Sequence, residues 1–231
     1  LKNPTNKMSQ TTTFQPIQEP AKNREIKRPS TSCLSDALGR LGFKFQTLDS
    51  RIRSITNVAL WGPAYTVQCY PGATWAVEEA LEKASAGDVL VINGEGFLGA
   101  VLMGGLMSTR AHHRALAGAV IDGAVRDVAE LKKLNWPVFA AGVTSRGGTM
   151  SKLGQVDITI SCGGVSVQPG DLIVGDEDGV VSVPSSVLDD ALELAWEIEQ
   201  KEEFLTAALK NGCSLQEAVR QLDLQGSSIH G

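Results

Sequence analysis

Six consecutive residues, Asp122-Gly123-Ala124-Val125-Arg126-Asp127, place an acid, a guanidinium and a second acid directly after an apolar run at residues 118–121. The run reads as a buried strand and the residues after it as a helix start, and open α/β sheets gather their ligands at such carboxyl ends of strands. Arg126 offers a planar fork for a carboxylate, and Asp127 can hold a hard divalent cation through one oxygen while waters complete the octahedron. The same spacing also fits a plain ion pair at a helix N-terminus, where the helix dipole favours an acid. A second candidate is Gly104-Gly105-Leu106-Met107-Ser108, which presents free backbone N–H groups to an anion if a helix begins there. Glycine pairs otherwise serve close packing.

Gly94-Glu95-Gly96-Phe97-Leu98-Gly99 matches the dinucleotide-binding pattern after an apolar run at 88–92, and Asp122 stands near the spacing of the acid that such folds use on a ribose. The motif lies mid-chain, however, and the β-rich block C-terminal to it lacks the repeated βα units of a doubly wound sheet, so a plain strand-to-helix turn is expected. His112 and His113 are adjacent, point to different faces of a helix and cannot form an i, i+4 metal pair. His230 lies in a polar tail. Asp176-Glu177-Asp178-Gly179 resembles the opening of a calcium loop, but the twelfth position is Val187 rather than Glu, and a hairpin turn is expected. The sequence has no GxSxG elbow, and no Ser/His or Cys/His arrangement suggests itself. Lys83, Lys132, Lys133 and Lys152 fall in helix-surface or loop contexts, so no buried apolar strand carries a lysine for Schiff-base chemistry.

These candidates need elements to hold them. Residues 1–28 have sparse apolar positions without a period and read as a flexible tail. From Ser30 the texture changes: Thr31-Ser32 is expected to cap a helix carrying Leu34, Ala37, Leu38 and Leu41 on one face and ended by Gly42. Strands are expected at 57–60 and 65–69, with Gly62-Pro63 and Pro71-Gly72 as punctuation. A helix at 75–86, a strand at 88–92, a helix over 98–116, a strand at 118–121, a short helix at 127–134 and a strand at 137–140 make the middle of the chain α/β. The loop at 144–155, rich in Ser, Gly and Lys, is of a kind that often lines sites. Beyond it comes a β-rich block, with strands at 156–160, 165–168, 172–174 and 180–183. Ser185-Ser186 then caps a long amphipathic helix to Lys210, and Ser214-Leu215-Gln216-Glu217 is a capping box for a last helix to Leu222.

Composition bounds the class. The chain has 231 residues, 42% hydrophobic and 20% charged, with 24 Gly and 9 Pro, which fits an ordinary globular protein with a sizeable core rather than a disordered or fibrous one. Its net charge of −5 argues against a nucleic-acid binder that works through a broad basic surface and suits small-molecule chemistry. Cys33, Cys69, Cys162 and Cys213 include no CxxC pair and read as free thiols of a reducing compartment. No apolar stretch approaches the roughly 18 residues a membrane span needs, and no signal-peptide core stands near the start. The expected setting is cytoplasmic, with neither membrane nor nucleic acid as partner.

Gly62-Pro63-Ala64, the segment at 86–91, the DGxxRD stretch within 118–127, Pro137-Val138-Phe139, and Val167-Gln168-Pro169-Gly170-Asp171 with the segment at 176–183 together resemble the RraA-like family. That family includes the regulator of ribonuclease activity A and the metal-dependent 4-hydroxy-4-methyl-2-oxoglutarate/4-carboxy-4-hydroxy-2-oxoadipate aldolases. The resemblance covers residues 31–222. It implies an α/β fold: a single compact β/β/α swivelling-type domain over 29–225 with a long C-terminal helix, assembled as a homotrimer or hexamer with sites between subunits. It further implies that Arg126 binds the pyruvyl end of a small 2-oxo-acid substrate and that Asp127 reaches Mg2+ or Mn2+. Backbone N–H groups of the glycine loop, Gly104-Gly105 with Leu106 and Met107, would hold the substrate carboxylate. An acid from the long C-terminal helix of a neighbouring subunit, Glu202 or less favourably Glu203, would join the metal's water shell. One departure is visible: the aldolases carry an acid where this chain has Gly105.

What the resemblance implies is intelligible chemistry. A divalent ion chelated by a 2-oxo acid acts as a Lewis acid, and Arg126 neutralises the enolate formed when the C3–C4 bond breaks. Aldol cleavage and oxaloacetate decarboxylation generate the same pyruvate enolate, but only aldol cleavage requires a base, metal-bound hydroxide or an ordered water, to take the C4 hydroxyl proton. Loss of the acid at Gly105 should therefore hurt decarboxylation less. The leading expectation is a metal-dependent pyruvate-releasing lyase, and the rival is a non-catalytic regulator that binds a protein partner through the same scaffold. A methyltransferase label attached to the family finds no convincing glycine-rich loop with its acidic partner here.

Overall fold

Alternation of β-branched runs with 3.6-period segments produces sixteen strands and α-helices in the computed structural model, which describes residues 28–224. They are α1 (Thr31–Arg40), β1 (Arg53–Ser54), β2 (Leu60–Gln68), α2 (Trp75–Lys83), β3 (Val89–Met103), α3 (Gly105–His113), β4 (Gly118–Val125), α4 (Val128–Leu134) and β5 (Val138–Val143). The chain continues through β6 (Gln155–Val156), β7 (Ile160–Cys162), β8 (Val165–Val167), β9 (Leu172–Gly175), β10 (Val180–Val183), α5 (Leu188–Lys210) and α6 (Leu215–Leu224). The tail expected over 1–28 lies outside the described residues except for Arg28, as do Gln225 and His230.

The main sheet runs β1-β5-β4-β3-β2-β9-β10, with β6 on β2, and β7-β8 form a separate hairpin. Strands β2, β3, β4 and β5 are parallel neighbours joined by α2, α3 and α4, while β1, β9 and β10 extend the sheet antiparallel. A parallel sheet must be covered on both faces, and all eight residues of β4 are buried. Period-two alternation sorts the side chains into two cores. Leu90, Ile92, Ala119 and Ile121 face Ala76, Val77, Ala80, Leu81, Ala111 and Leu131 of the helices. Val89, Val91, Val120 and Phe139 face Ile160, Cys162, Val165 and Val167 of the hairpin. Hairpin, sheet and helices are the three layers of the expected β/β/α arrangement. A third core packs Cys33, Leu34, Ala37 and Leu38 of α1 against Ala191, Ala195 and Ile198 of α5, over Val181 and Val183 of β10.

Local signals explain most element ends. Ser30, and not the expected Thr31-Ser32, caps α1: its side chain accepts the Cys33 N–H, while Thr31 and Ser32 already lie in the first turn. The Ser214 hydroxyl accepts the Glu217 N–H at the start of α6 as expected. Asp176-Glu177-Asp178-Gly179 is the turn of the β9–β10 hairpin. The four cysteines are free thiols. Among the described residues no helix is long and apolar enough to cross a membrane.

Three further expectations are corrected. First, Gly94–Gly99 does not open a helix, because β3 continues through it to Met103 and α3 begins only at Gly105. Between the pairs Asn93↔Asp122 and Phe97↔Gly123, β3 carries extra residues against a single step of β4, and Glu95 and Gly96 take left-handed φ of 57° and 65° to bulge them out. Leu98, Val101 and Leu102 mimic a helical period while their strand tracks these register shifts. Second, Gly62-Pro63 does not separate two strands: it lies inside β2, where pairing passes from β9 (residues 60–63) to β3 (residues 64–68). Third, Ser185 and Ser186 form a 3-10 turn and do not cap α5, whose N-cap is Val187.

The Ser185 N–H instead donates to Asp171 Oδ1 at 3.1 Å, while the Gln168 N–H donates to Asp171 Oδ2 at 2.8 Å. Asp171 is only 3% exposed, so one carboxylate ties the β8–β9 turn to the approach of the C-terminal helix. Asp171→Ala leaves two N–H groups without their charged acceptor and should lower the unfolding free energy by about 3 kcal/mol in urea denaturation.

Candidate active site

The register of two parallel strands builds the site. Met103, the last residue of β3, pairs with Val125, the last of β4, so residues 104 and 126 leave the sheet side by side. The Arg126 N–H donates to the Met103 carbonyl at 3.3 Å. The chain then turns through Asp127, which takes φ 61° and ψ 39°, a left-handed conformation that Asp adopts more readily than most residues. From there its carbonyl accepts the N–H groups of Glu130 and Leu131 and starts α4.

Asp127 Oδ2 accepts the Gly105 N–H at 3.0 Å and stands 3.5 Å from Arg126 Nε. The room for this approach comes from missing side chains. A Cβ at Gly104 would lie 2.8 Å from Asp127 Oδ2 and 3.1 Å from Arg126 Cγ, and one at Gly105 would lie 3.4 Å from Asp127 Cβ and 3.5 Å from Glu130 Cβ. The side chains of Arg126 and Asp127 are 43% and 42% exposed. An ion pair that long and that wet contributes about 0–1 kcal/mol to stability, so folding does not account for the placement of both groups at the mouth of a cavity.

That cavity, about 270 Å³, is bounded by Thr74 at the N-cap of α2, Glu78 of α2, the end of β3, the start of α3, Arg126, Asp127 and Gly147-Gly148. The loop at 144–154 is pinned across it by Val101 N–H to the Arg146 carbonyl (3.0 Å) and Thr149 N–H to the Gly72 carbonyl (2.7 Å). Ser108 makes the first intrahelical bond of α3, to the Gly104 carbonyl. Gly105 gives its N–H to Asp127, which leaves the first-turn N–H groups of Leu106 and Met107 open to an anion. On its other side, the Arg126–Asp127 pair borders a second recess with Val128, Val143, Thr144 and Ser145.

The structure thus brings Gly104, Gly105, Leu106, Met107, Arg126 and Asp127 together. It does not bring Glu202 to them within one chain: Glu202 lies on α5, where Oε2 accepts from the Cys33 thiol at 3.6 Å, and it borders a different recess with Glu203. Burial pushes the Cys33 thiol pKa up, with the nearby carboxylates of Glu202 and Glu199 acting in the same direction. Asp122 is buried and accepts the Gly163 N–H at 2.9 Å, which ties β4 to the hairpin layer and takes it away from any ribose role. His112 and His113 are exposed on α3.

Glu78 is the residue that sequence reasoning missed. It reads there as one more acid on the polar face of a helix, yet it lines the cavity with its Oε2 held 2.7 Å from Arg110 Nη1 of α3. Arg110 also pairs with Glu82.

Among the described residues no three His, Cys, Asp or Glu side chains gather as a metal cage. An exposed carboxylate at the mouth of an open cavity is instead a donor suited to Mg2+ or Mn2+, ions that keep most of their waters. Asp127 fits that role through the oxygen not engaged by Gly105.

A family model described as RraA-like, Aldolase/RraA, matches residues 31–182. A protein of Halalkalibacterium halodurans named "Putative 4-hydroxy-4-methyl-2-oxoglutarate aldolase" is 38% identical over 182 residues, which is 78% of this chain and 85% of that protein. Among solved structures, a protein from Pseudomonas syringae pv. tomato aligns with a TM-score of 0.73 and 29% identity over 82% of this chain and 92% of its own. The RNA-processing inhibitor RraA from Thermus thermophilis aligns with a TM-score of 0.60 and 31% identity over 68% of this chain and 96% of its own.

Asp127→Asn keeps a residue that tolerates the left-handed conformation and removes only a solvent-exposed charge. Thermal and urea unfolding should place it within about 1 kcal/mol of the wild type.

Proposed function

The chain belongs to the RraA-like family, and from that premise we propose that it is a divalent-metal-dependent lyase that breaks the C3–C4 bond of a 2-oxo acid and releases pyruvate. The substrates proposed are a 4-hydroxy-4-methyl-2-oxoglutarate-type acid, cleaved as an aldol, and oxaloacetate, decarboxylated. The observation that carries the reading is the convergence of Arg126, Asp127 and the open N–H groups of α3 on one cavity. The similarity to an aldolase-named protein of H. halodurans supports it.

Each group has a task. The N–H groups of Leu106 and Met107 bind the substrate carboxylate at the positive end of α3. The Arg126 guanidinium neutralises the charge that develops on the C2 oxygen as the C3–C4 bond breaks. Asp127 holds Mg2+ or Mn2+, which when bound supplies Lewis-acid polarisation of the 2-oxo group. Gly147 and Gly148 line the cavity, and a Cβ at Gly147 would lie 3.5 Å from Arg126 Nη1. In this reading three or six copies assemble, Glu202 of one subunit serves the site of its neighbour, and the protein works in the cytoplasm.

The similarity to the Thermus RNA-processing inhibitor favours a second reading, a non-catalytic regulator that binds a protein partner. Coupling pyruvate release to lactate dehydrogenase separates the two. With Mg2+ or Mn2+, wild type should release pyruvate from oxaloacetate or from 4-hydroxy-4-methyl-2-oxoglutarate. EDTA should stop the reaction, and Asp127→Asn should lower it by about 100-fold or more. No release above the metal-only background from either substrate would overturn the lyase reading in favour of the regulator.

A further inference from the structure

Aldol cleavage needs a step that decarboxylation does not: a base must remove the C4 hydroxyl proton. The family resemblance gives that role to metal-bound hydroxide or an ordered water, and among this chain's own side chains the cavity offers few alternatives. Its ionisable lining residues are Glu78, Arg126 and Asp127. Arg126 presents N–H donors and no acceptor. Asp127 has one oxygen committed to the Gly105 N–H and the other to the ion in the proposed function. Position 105, beside Asp127, carries no side chain.

Glu78 remains. It lines the cavity from α2 together with Thr74, the N-cap residue four positions earlier, and its side chain is 31% exposed. Arg110 holds Oε2 at 2.7 Å through a bond that does not involve Oε1. Because Arg110 also pairs with Glu82, its charge is divided between two carboxylates while it orients Glu78.

We propose that Glu78 is a catalytic residue of the aldol reaction, the base that takes the C4 hydroxyl proton. The inference rests on the lyase reading. The electrons balance within the substrate. Glu78 takes the proton, the O–H pair becomes the second bond of the new C4 carbonyl, and the C3–C4 bond breaks. Its pair forms C2=C3, with the negative charge moving to the C2 oxygen beside Arg126. The proton then returns to C3 to give pyruvate, with no oxidant, reductant or co-reactant consumed.

The test compares Glu78→Gln and Glu78→Asp with wild type in three measurements. They are pyruvate release from 4-hydroxy-4-methyl-2-oxoglutarate, pyruvate release from oxaloacetate, and calorimetric binding of pyruvate in the presence of Mg2+. Gln keeps the hydrogen bond to Arg110 but cannot accept the proton. Its loss in kcat for aldol cleavage should exceed its loss for decarboxylation by about 100-fold or more, with pyruvate affinity retained, and Asp should recover part of the difference. Equal losses on both substrates, or no loss on the hydroxy acid, would show that Glu78 is not the base. A wild-type protein that decarboxylates oxaloacetate but leaves the hydroxy acid intact would overturn the assignment and leave the lyase reading standing. A wild type that acts on neither overturns that reading itself.

Discussion

The parallel pairing of β3 with β4 is the constraint on which the rest of the molecule's chemistry depends. Bringing Met103 opposite Val125 puts a glycine loop and an Arg-Asp pair at adjacent strand ends. Twenty-two residues of sequence separate Gly105 from Asp127, and the strand register reduces that to one 3.0 Å hydrogen bond. The register is in turn fixed by burial on both faces: shifting β4 by one residue would send Val120 into the helical layer and Ala119 and Ile121 into the hairpin layer. The bulge at Glu95 and Gly96 belongs to the same constraint, since it absorbs the surplus length of β3 before the strand reaches the site.

Polar groups divide by depth. Asp171 and Asp122 are buried and satisfy backbone N–H groups of turns, and so hold layers together. Arg126, Asp127 and Glu78 are part-exposed around a cavity and return little to stability for their placement. Carboxylates that knit turns and carboxylates that face solvent in a concave site do different work, although a sequence shows them all as acids. The left-handed Asp127 carries a small conformational cost at the site, which the packing of β4 and α4 on either side sustains.

Much of this was legible in the sequence for physical reasons. Ser214 caps because its hydroxyl satisfies an orphan N–H group, and the apolar runs at 118–121 and 88–92 form central strands because they alternate between two cores. The DGxxRD stretch supplies one side of the candidate cavity and the glycine loop at 104–107 another. Less legible were features that depend on pairing. Leu98, Val101 and Leu102 have a helical spacing, yet neighbouring β4 draws them into a bulged strand. Pro63 signals a break, but β2 changes partner there and tolerates the missing N–H. Glu78 gives no signal at all, because only the packing of α2 beside α3 turns one of several helix acids toward the cavity.

Function in this proposal centres on a cavity in which Arg126 and an ion held by Asp127 act together on the pyruvyl part of a substrate. Titrating pyruvate into the wild-type protein by calorimetry, with Mg2+ and then with EDTA, and repeating both with Arg126→Met, tests that directly. Saturable binding is expected only where the metal and the guanidinium are both present. Equal affinity in EDTA, or an Arg126→Met protein that binds as the wild type does, would contradict it.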